Sequence, residues 1–257
     1  EIGWCDWSSD VCSSDLRLKP LTDTCPKALV QVGDKPMLQH TIELLILHGF
    51  DEIIINIHYL GNQIRDFLVQ HHNFGIRIEI SDETDVILET GGGLLKAQHF
   101  FDDGKPFVLC NADVFTNIDL TDFYKYHQEN KAIATLAVRN RKSSRYLLFD
   151  DNDILFGWEN VKSNEVKIPR KIPAEIKAKL KDFETYPLHE FAFSGYHIIS
   201  PEIFKHNQRD GKFSMIDWYL DICNQHTIKA YHHDNDVWID IGSPEELQKA
   251  NEAFLKL

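Results

Sequence analysis

Between residues 36 and 138, short β-branched runs alternate with helical stretches, a rhythm that few architectures accept. Segment 36–47 (PMLQHTIELLIL) carries apolar residues at 37, 38, 42, 44, 45 and 47, and Gly49 stands where a C-cap glycine belongs. That spacing predicts a helix. Segment 52–57 (EIIINI) follows, a nearly continuous β-branched run of the kind buried in a parallel sheet. The same reading predicts helices over 62–70, 93–101 and 120–129, and strands over 76–80, 106–110 and 131–138. Strands alternating with helices imply βαβ crossovers and an open, mostly parallel sheet with helices on both faces.

After Asn140 the rhythm changes. Segments 146–149 and 154–158, separated by Asp150-Asp151-Asn152-Asp153, predict a β-hairpin. The Lys-rich stretch 159–187, with Pro169, Pro173 and Pro187, reads as an irregular or partly helical insertion over one edge of the cleft. A strand over 191–199, a helix over 215–224 and a strand over 227–233 complete the pattern. Ser243-Pro244-Glu245-Glu246 opens a final helix with a capping box, Pro at its first position and acidic residues in its first turn. No internal repeat or linker divides the chain, so one domain with a small β-rich elaboration is expected.

Charge narrows the partners. Lys and Arg number 27 against 40 Asp and Glu, a formal net charge of −13, which repels nucleic acid and acidic membrane surfaces. A small phosphorylated substrate remains compatible, because a few local cations and a divalent metal can reverse the sign within one cleft. No stretch approaches the ~20 consecutive apolar residues of a membrane-spanning helix. The N-terminus shows no basic flank followed by an apolar run, so it does not read as a secretory signal. Five cysteines (Cys5, Cys12, Cys25, Cys110, Cys223) form no C-x-x-C pair and fit reduced thiols in a cytoplasm. Cys110, at a strand end without an evident base partner, reads as a buried structural thiol. The adjacent pairs His71-His72 and His232-His233 lack metal-ligand spacing and read as surface histidines.

Residues 1–15 (EIGWCDWSSDVCSSD) repeat Ser-Ser-Asp and show neither strand nor helix periodicity. They resemble translated sequencing-adapter read-through or a fusion scar; the alternative is a disordered polar arm. The folded domain is therefore expected over 16–257.

The chemistry begins with Arg17-Leu-Lys-Pro-Leu-Thr-Asp-Thr-Cys-Pro-Lys27, in which two prolines predict an ordered loop with fixed cations. An arginine fork suits a terminal phosphate and a lysine a reacting phosphorus, although spacing alone favours a solvated basic loop. The pattern R-x-x-P-L-T-x-x-x-P-K resembles the second half of the loop that begins sugar-1-phosphate nucleotidyltransferases. Leu88-Glu-Thr-Gly-Gly-Gly93, Asn111-Ala-Asp-Val114, Phe193-Ser-Gly195 and Trp238-Ile-Asp-Ile-Gly242 resemble further motifs of that family, in order. The likeness is greatest to its N-acetylmuramate-1-phosphate uridylyltransferase type. It implies a Rossmann-like nucleotide-diphospho-sugar transferase fold.

That resemblance also implies roles. Asp113 and Asp240, each beside a short strand, would hold Mg²⁺, which takes most of its shell from water and substrate phosphates. Lys27 would stabilise the α-phosphoryl and Arg17 the departing pyrophosphate. Glu89, Thr90, Gly91, Gly92, Gly93 and Asn111 would contact the nucleotide, with backbone groups of the triad reading the base. Ser194 and Gly195 would lie beside the sugar, although a glycine there also fits a simple bulge. Glu190, His189, Lys171 and Lys181 are further candidates for sugar or phosphate contact, of which Glu190 is taken forward.

The implied reaction joins a nucleoside triphosphate, UTP first, to a sugar-1-phosphate such as N-acetylmuramate-1-phosphate, in a cytoplasmic monomer or homodimer. Mannose-1-phosphate guanylyl transfer is the alternative. One departure stands out: no glycine lies between Trp4 and Arg17, where the family carries its first strand and glycine-rich phosphate loop. That loss also admits an inactive nucleotide-sugar-binding or regulatory protein.

Overall fold

The computed structural model describes residues 2–6, 18–169 and 188–256. Its strands are β1 (Ile2–Asp6), β2 (Glu52–Ile57), β3 (Arg77–Asp82), β4 (Phe107–Asn111), β5 (Val114–Thr116), β6 (Ala134–Arg139), β7 (Arg145–Phe149), β8 (Leu155–Asn160), β9 (Glu165–Lys167), β10 (His189–Ile199), β11 (Ile228–His232) and β12 (Trp238–Asp240). The main helices are α1 (Met37–Leu47), α2 (Gly61–Gln70), α3 (Glu89–Lys96), α4 (Leu120–Asn130), α5 (Met215–Ile222) and α6 (Pro244–Phe254). A two-residue ribbon, Gln31–Val32 with Lys35–Pro36, precedes α1.

The large sheet runs β9-β8-β7-β10-β4-β1-β2-β3, with β6 pairing β10 and β11. Pairing is parallel through β4-β1-β2-β3 and between β6 and β11, and antiparallel around β10 and through β7-β8-β9. The antiparallel part thus exceeds the expected hairpin: β9 extends it, and β10 joins it to the parallel half. Residues 170–187, the rest of the expected insertion, lie outside the described residues.

Strand alternation distributes the core. Phe107 and Leu109 join a cluster with Leu136, Met215 and Trp218, whereas Val108 and Cys110 join one with Ile53, Ile55, Leu45 and Phe123. Neighbours on one strand therefore serve opposite faces, and helices cover both. Cys110 is fully buried, as expected of a structural thiol.

Residues 2–6 correct an expectation. The sequence pattern puts the opening segment outside the fold and leaves the central strand missing; β1 instead lies between β2 and β4, parallel to both. A gap there would strand two rows of buried backbone donors and acceptors, so any short segment able to extend can be held by the ladders alone. The signal is positional rather than periodic, which is why patterning did not reveal it. A Cβ on Gly3 would lie 3.2 Å from Leu45 of α1, so a helix packs tightly over this strand. Residues 7–17 lie outside the described residues.

Two further corrections concern local structure. The loop after Arg17 contains a single helical turn, Leu21–Thr24, and a 3-10 turn, Lys27–Leu29. His71 and His72 are exposed, but His233 is buried, because Arg139 and Asp236 fold the turn after β11 around it.

Burial makes the histidines a pH liability. His127 bridges Thr135 (2.8 Å) and Ser200 (3.0 Å), and His197 meets the Tyr219 hydroxyl at 2.9 Å. Desolvation lowers their pKa values to about 4 and about 3, and that of His233 to about 4. The folded values lie below the unfolded one near 6.5, so the unfolded chain binds more protons and stability falls as pH drops from there towards 4. Glu159, whose pKa desolvation pushes up to about 7, acts with the opposite sign, but the three histidines outweigh it. We expect a loss of roughly 1 kcal/mol per histidine at about pH 5.5. Thermal melts across this range check it, and His127→Gln should flatten the slope.

Candidate active site

Three chain segments converge at the carboxyl edge of β4, where open α/β sheets take their ligands. Lys27, held by the turn after Pro26, is buried. Its Nζ donates to Asp113 Oδ2 in the bend between β4 and β5, and lies 3.9 Å from Asp240 Oδ1 at the end of β12. β12 pairs antiparallel with β5, setting Asp240 opposite Val114, and the Ile241 amide donates to Asp113 O at 2.9 Å. Two carboxylates 127 positions apart in the sequence are thus locked by backbone pairing.

The C-terminal helix secures the arrangement. Ser243 caps α6 by accepting from the Glu246 amide, as the sequence predicted. Ile241 and Ala250 pack with Leu18, Val32, Met37 and Phe115. Asn251 Oδ1 accepts from the Gly33 amide at 2.8 Å, and Phe254 occupies the space a side chain at Gly33 would need.

Asp113 and Asp240 fit a magnesium ion by their chemistry. Among the described residues no group of three or more His, Cys, Asp or Glu could hold a metal. Two hard oxygen donors flanking one ammonium match an ion that draws its remaining ligands from water and phosphate. Lys27 sits between the same carboxylates and offsets their charge.

The glycine triad lies inside helix α3 rather than before a helix, and its three members meet different walls. A Cβ on Gly91 would lie 2.5 Å from the Phe213 ring; on Gly92, 2.2 Å from Gly211 O; on Gly93, 2.5 Å from Glu83 Oε1. Gly91 and Gly92 amides both donate to Phe213 O, at 2.9 and 3.2 Å, while Phe213 donates to Leu88 O. Base reading by the triad's backbone is therefore narrowed: these two amides are already committed. Thr90 Oγ1 accepts from the Met215 amide, and Glu89 pairs with Lys212 at 3.4 Å while adopting φ +60°. Both hold α3 to the 211–215 segment.

Glu83 was not singled out from sequence. It is 1% exposed, accepts from the Leu88 amide at 2.9 Å, and with Asn56 forms the floor beneath Gly93. A buried carboxylate must be paired, so its position braces the start of α3. Nothing in its local sequence distinguishes it from the neighbouring solvated Asp82 and Asp85.

The other candidates divide. Asn111 ends β4 against Gly195, where a Cβ would lie 3.2 Å from its side chain, so it belongs beside the bulge rather than the triad. Ser194 and Gly195 form that bulge, where the β10–β6 register shifts between Phe193 and His197, and Gly195 takes φ +84°. The Ser194 hydroxyl is buried, and its carbonyl accepts from Trp238 Nε1 at 2.8 Å. Glu190 lies at the far end of β10 and is exposed; it hydrogen-bonds Glu159, whose pKa desolvation pushes up to about 7. His189 is tied to Asp151 at 2.9 Å. Arg17, Lys171 and Lys181 lie outside the described residues.

Comparison with known proteins follows the same lines. A family model described as Nucleotidyl transferase matches residues 14–256. The N-acetylmuramate alpha-1-phosphate uridylyltransferase of Neisseria meningitidis is 43% identical over 105 residues, 41% of this chain and 45% of that protein. A mannose-1-phosphate guanyltransferase of Gibberella zeae is 36% identical over 124 residues, 48% of this chain and 34% of that protein. The chain thus spans less than half the length of these curated relatives in the matched regions. A putative glucose-1-phosphate thymidylyltransferase from Bacillus anthracis, solved with sucrose, shares the fold: TM-score 0.76, 16% identity, covering 100% of this chain and 96% of that one.

Proposed function

We propose that this chain, which belongs to the nucleotidyl transferase family, joins a nucleoside triphosphate to a sugar-1-phosphate, releasing pyrophosphate. The observation that carries the reading is the buried Lys27 ammonium held between Asp113 and Asp240 at the sheet's carboxyl edge. An acceptor phosphate is already an anion, so no general base is needed and catalysis reduces to positioning and charge neutralisation. Bound Mg²⁺ on Asp113 and Asp240 would supply Lewis-acid neutralisation of the phosphates. Lys27, turned from its carboxylates, would steady the α-phosphoryl oxygens, and Arg17 the pyrophosphate. Helix α3, fixed by Glu83 and Phe213, offers a rigid wall for the base.

Uridylyl transfer to an N-acetylated amino sugar phosphate is the preferred specificity, supported by the LETGGG segment and the Neisseria relative. Guanylyl transfer to mannose-1-phosphate is the second, supported by the Gibberella relative. Pyrophosphate release with Mg²⁺, over UTP, GTP, CTP and dTTP against several sugar-1-phosphates, tests both. Release with UTP and N-acetylmuramate-1-phosphate is expected; release with another pair reassigns the substrates. Nucleotide binding without release from folded protein would overturn transfer in favour of a nucleotide-sugar-binding role.

A further inference from the structure

Two arginines lie two positions apart where β6 ends, and they are used differently. Arg139 is committed to backbone: Nη1 donates to His233 O (2.8 Å) and Asp236 O (2.9 Å), and Nη2 to Asp234 O (2.7 Å). It shapes the turn that delivers Trp238 and Asp240. Arg141 stacks its guanidinium over the Trp238 ring, 4.2 Å from the centroid. Nη2 donates to Phe193 O at 3.0 Å, Nη1 reaches Lys142 O only at 3.5 Å, and the buried Nε has no hydrogen-bond partner among the described residues.

An unpaired guanidinium N–H in a buried place is costly, and this one is not solvated away. Burial lowers the Arg141 pKa and the Asp240 charge opposes that shift, and the guanidinium stays cationic at neutral pH. The stacked indole fixes the plane of the fork, and the indole is itself anchored on Ser194 O. The guanidinium therefore stands at the Ser194–Gly195 bulge, within electrostatic reach of Asp240.

We infer that Arg141 binds the phosphate of the acceptor sugar-1-phosphate, holding its non-bridging oxygens beside Asp240 while another of its oxygens attacks. The inference rests on the transfer reading of this site. The attacking oxygen forms a bond to the α-phosphorus; the bond from that phosphorus to the β-bridging oxygen breaks, and its electron pair leaves with pyrophosphate. No proton is transferred. Two anions must meet in this step, and a planar cation clamping one of them in two places lowers their repulsion and sets the line of approach. The class of ligand is a phosphate monoester on a sugar's anomeric carbon, not the triphosphate.

Arg141→Gln and Arg141→Lys test it, with thermal melts confirming folding. KM for the sugar-1-phosphate should rise about 10- to 100-fold in the Gln variant, the range for a hydrogen bond to a charged group, with KM for the NTP unchanged. The Lys variant, retaining charge without the fork, should fall between, and it carries the test alone if the Gln variant does not fold. A parallel rise in both KM values, or no rise, overturns the assignment. Calorimetry with glucose-1-phosphate, mannose-1-phosphate and N-acetylmuramate-1-phosphate, against the same sugars unphosphorylated, separates the two readings. Phosphate-dependent binding by the wild type, lost in Arg141→Gln, supports the assignment even if no pyrophosphate is released, in which case the transfer reading alone fails. Binding equal in wild type and variants, or no phosphate-dependent binding by the wild type, overturns Arg141.

Discussion

Asp113→Asn should abolish magnesium-dependent pyrophosphate release, lowering kcat by at least about a thousandfold. The carboxylate is nearly buried, it pairs directly with Lys27, and its amide isostere would bind a hard cation far more weakly. Stability should fall too, because breaking a buried pair leaves the Lys27 ammonium to the more exposed Asp240; the general scale is about 3–5 kcal/mol. The double variant Asp113→Asn with Lys27→Met removes the stranded charge, so it should regain stability while remaining inactive. Activity of the single variant within a few-fold of wild type would remove Asp113 from the reacting centre. Recovery of melting temperature without turnover in the double variant would separate the structural from the chemical part.

Gly92→Ala is expected to be strongly destabilising, although it adds only one methyl. Helix propensity alone favours alanine over glycine by about 1 kcal/mol. Contact decides otherwise: the new Cβ would lie 2.2 Å from the carbonyl oxygen of Gly211, a backbone atom that cannot rotate away. Either α3 or the 211–213 turn must move by about an ångström, breaking the bonds to Phe213 O, and overpacking of this kind costs about 3 kcal/mol or more. Gly211→Ala supplies the control. Its Cβ meets nothing within 4 Å, so only the positive φ of 67° is penalised, at about 1 kcal/mol. Urea midpoints for both variants, with nucleotide affinity by calorimetry, check the ranking; equal losses would mean the α3 contact is soft.

The periodic elements were legible because burial on one face writes itself into sequence: α1, β2, α4 and β4 follow their apolar spacing. Asp113 and Asp240 were legible as residues at strand ends, and their convergence with Lys27 needed the fold. What stayed hidden has a common cause. β1 is specified by the two strands that receive it, Glu83 by the helix it supports, and His233 by the turn around it. Arg141 looks like any solvated arginine in an N-R-K-S stretch until Trp238 arrives beneath it from nearly a hundred residues away. The triad reads as backbone freedom, yet each glycine is demanded by a separate wall.

The locking of β12 and α6 onto the Lys27 segment also orders events during folding. Asp240 gains its place only by pairing with β5, and the Gly33 turn gains its last partners from Asn251 and Phe254. A folding chain in which β12 and α6 have not yet docked has every earlier element and no assembled centre. The centre is completed by the last docking event rather than accumulated along the way, and any substitution that disturbs the last turn of α6 acts on the reacting groups as directly as one among them.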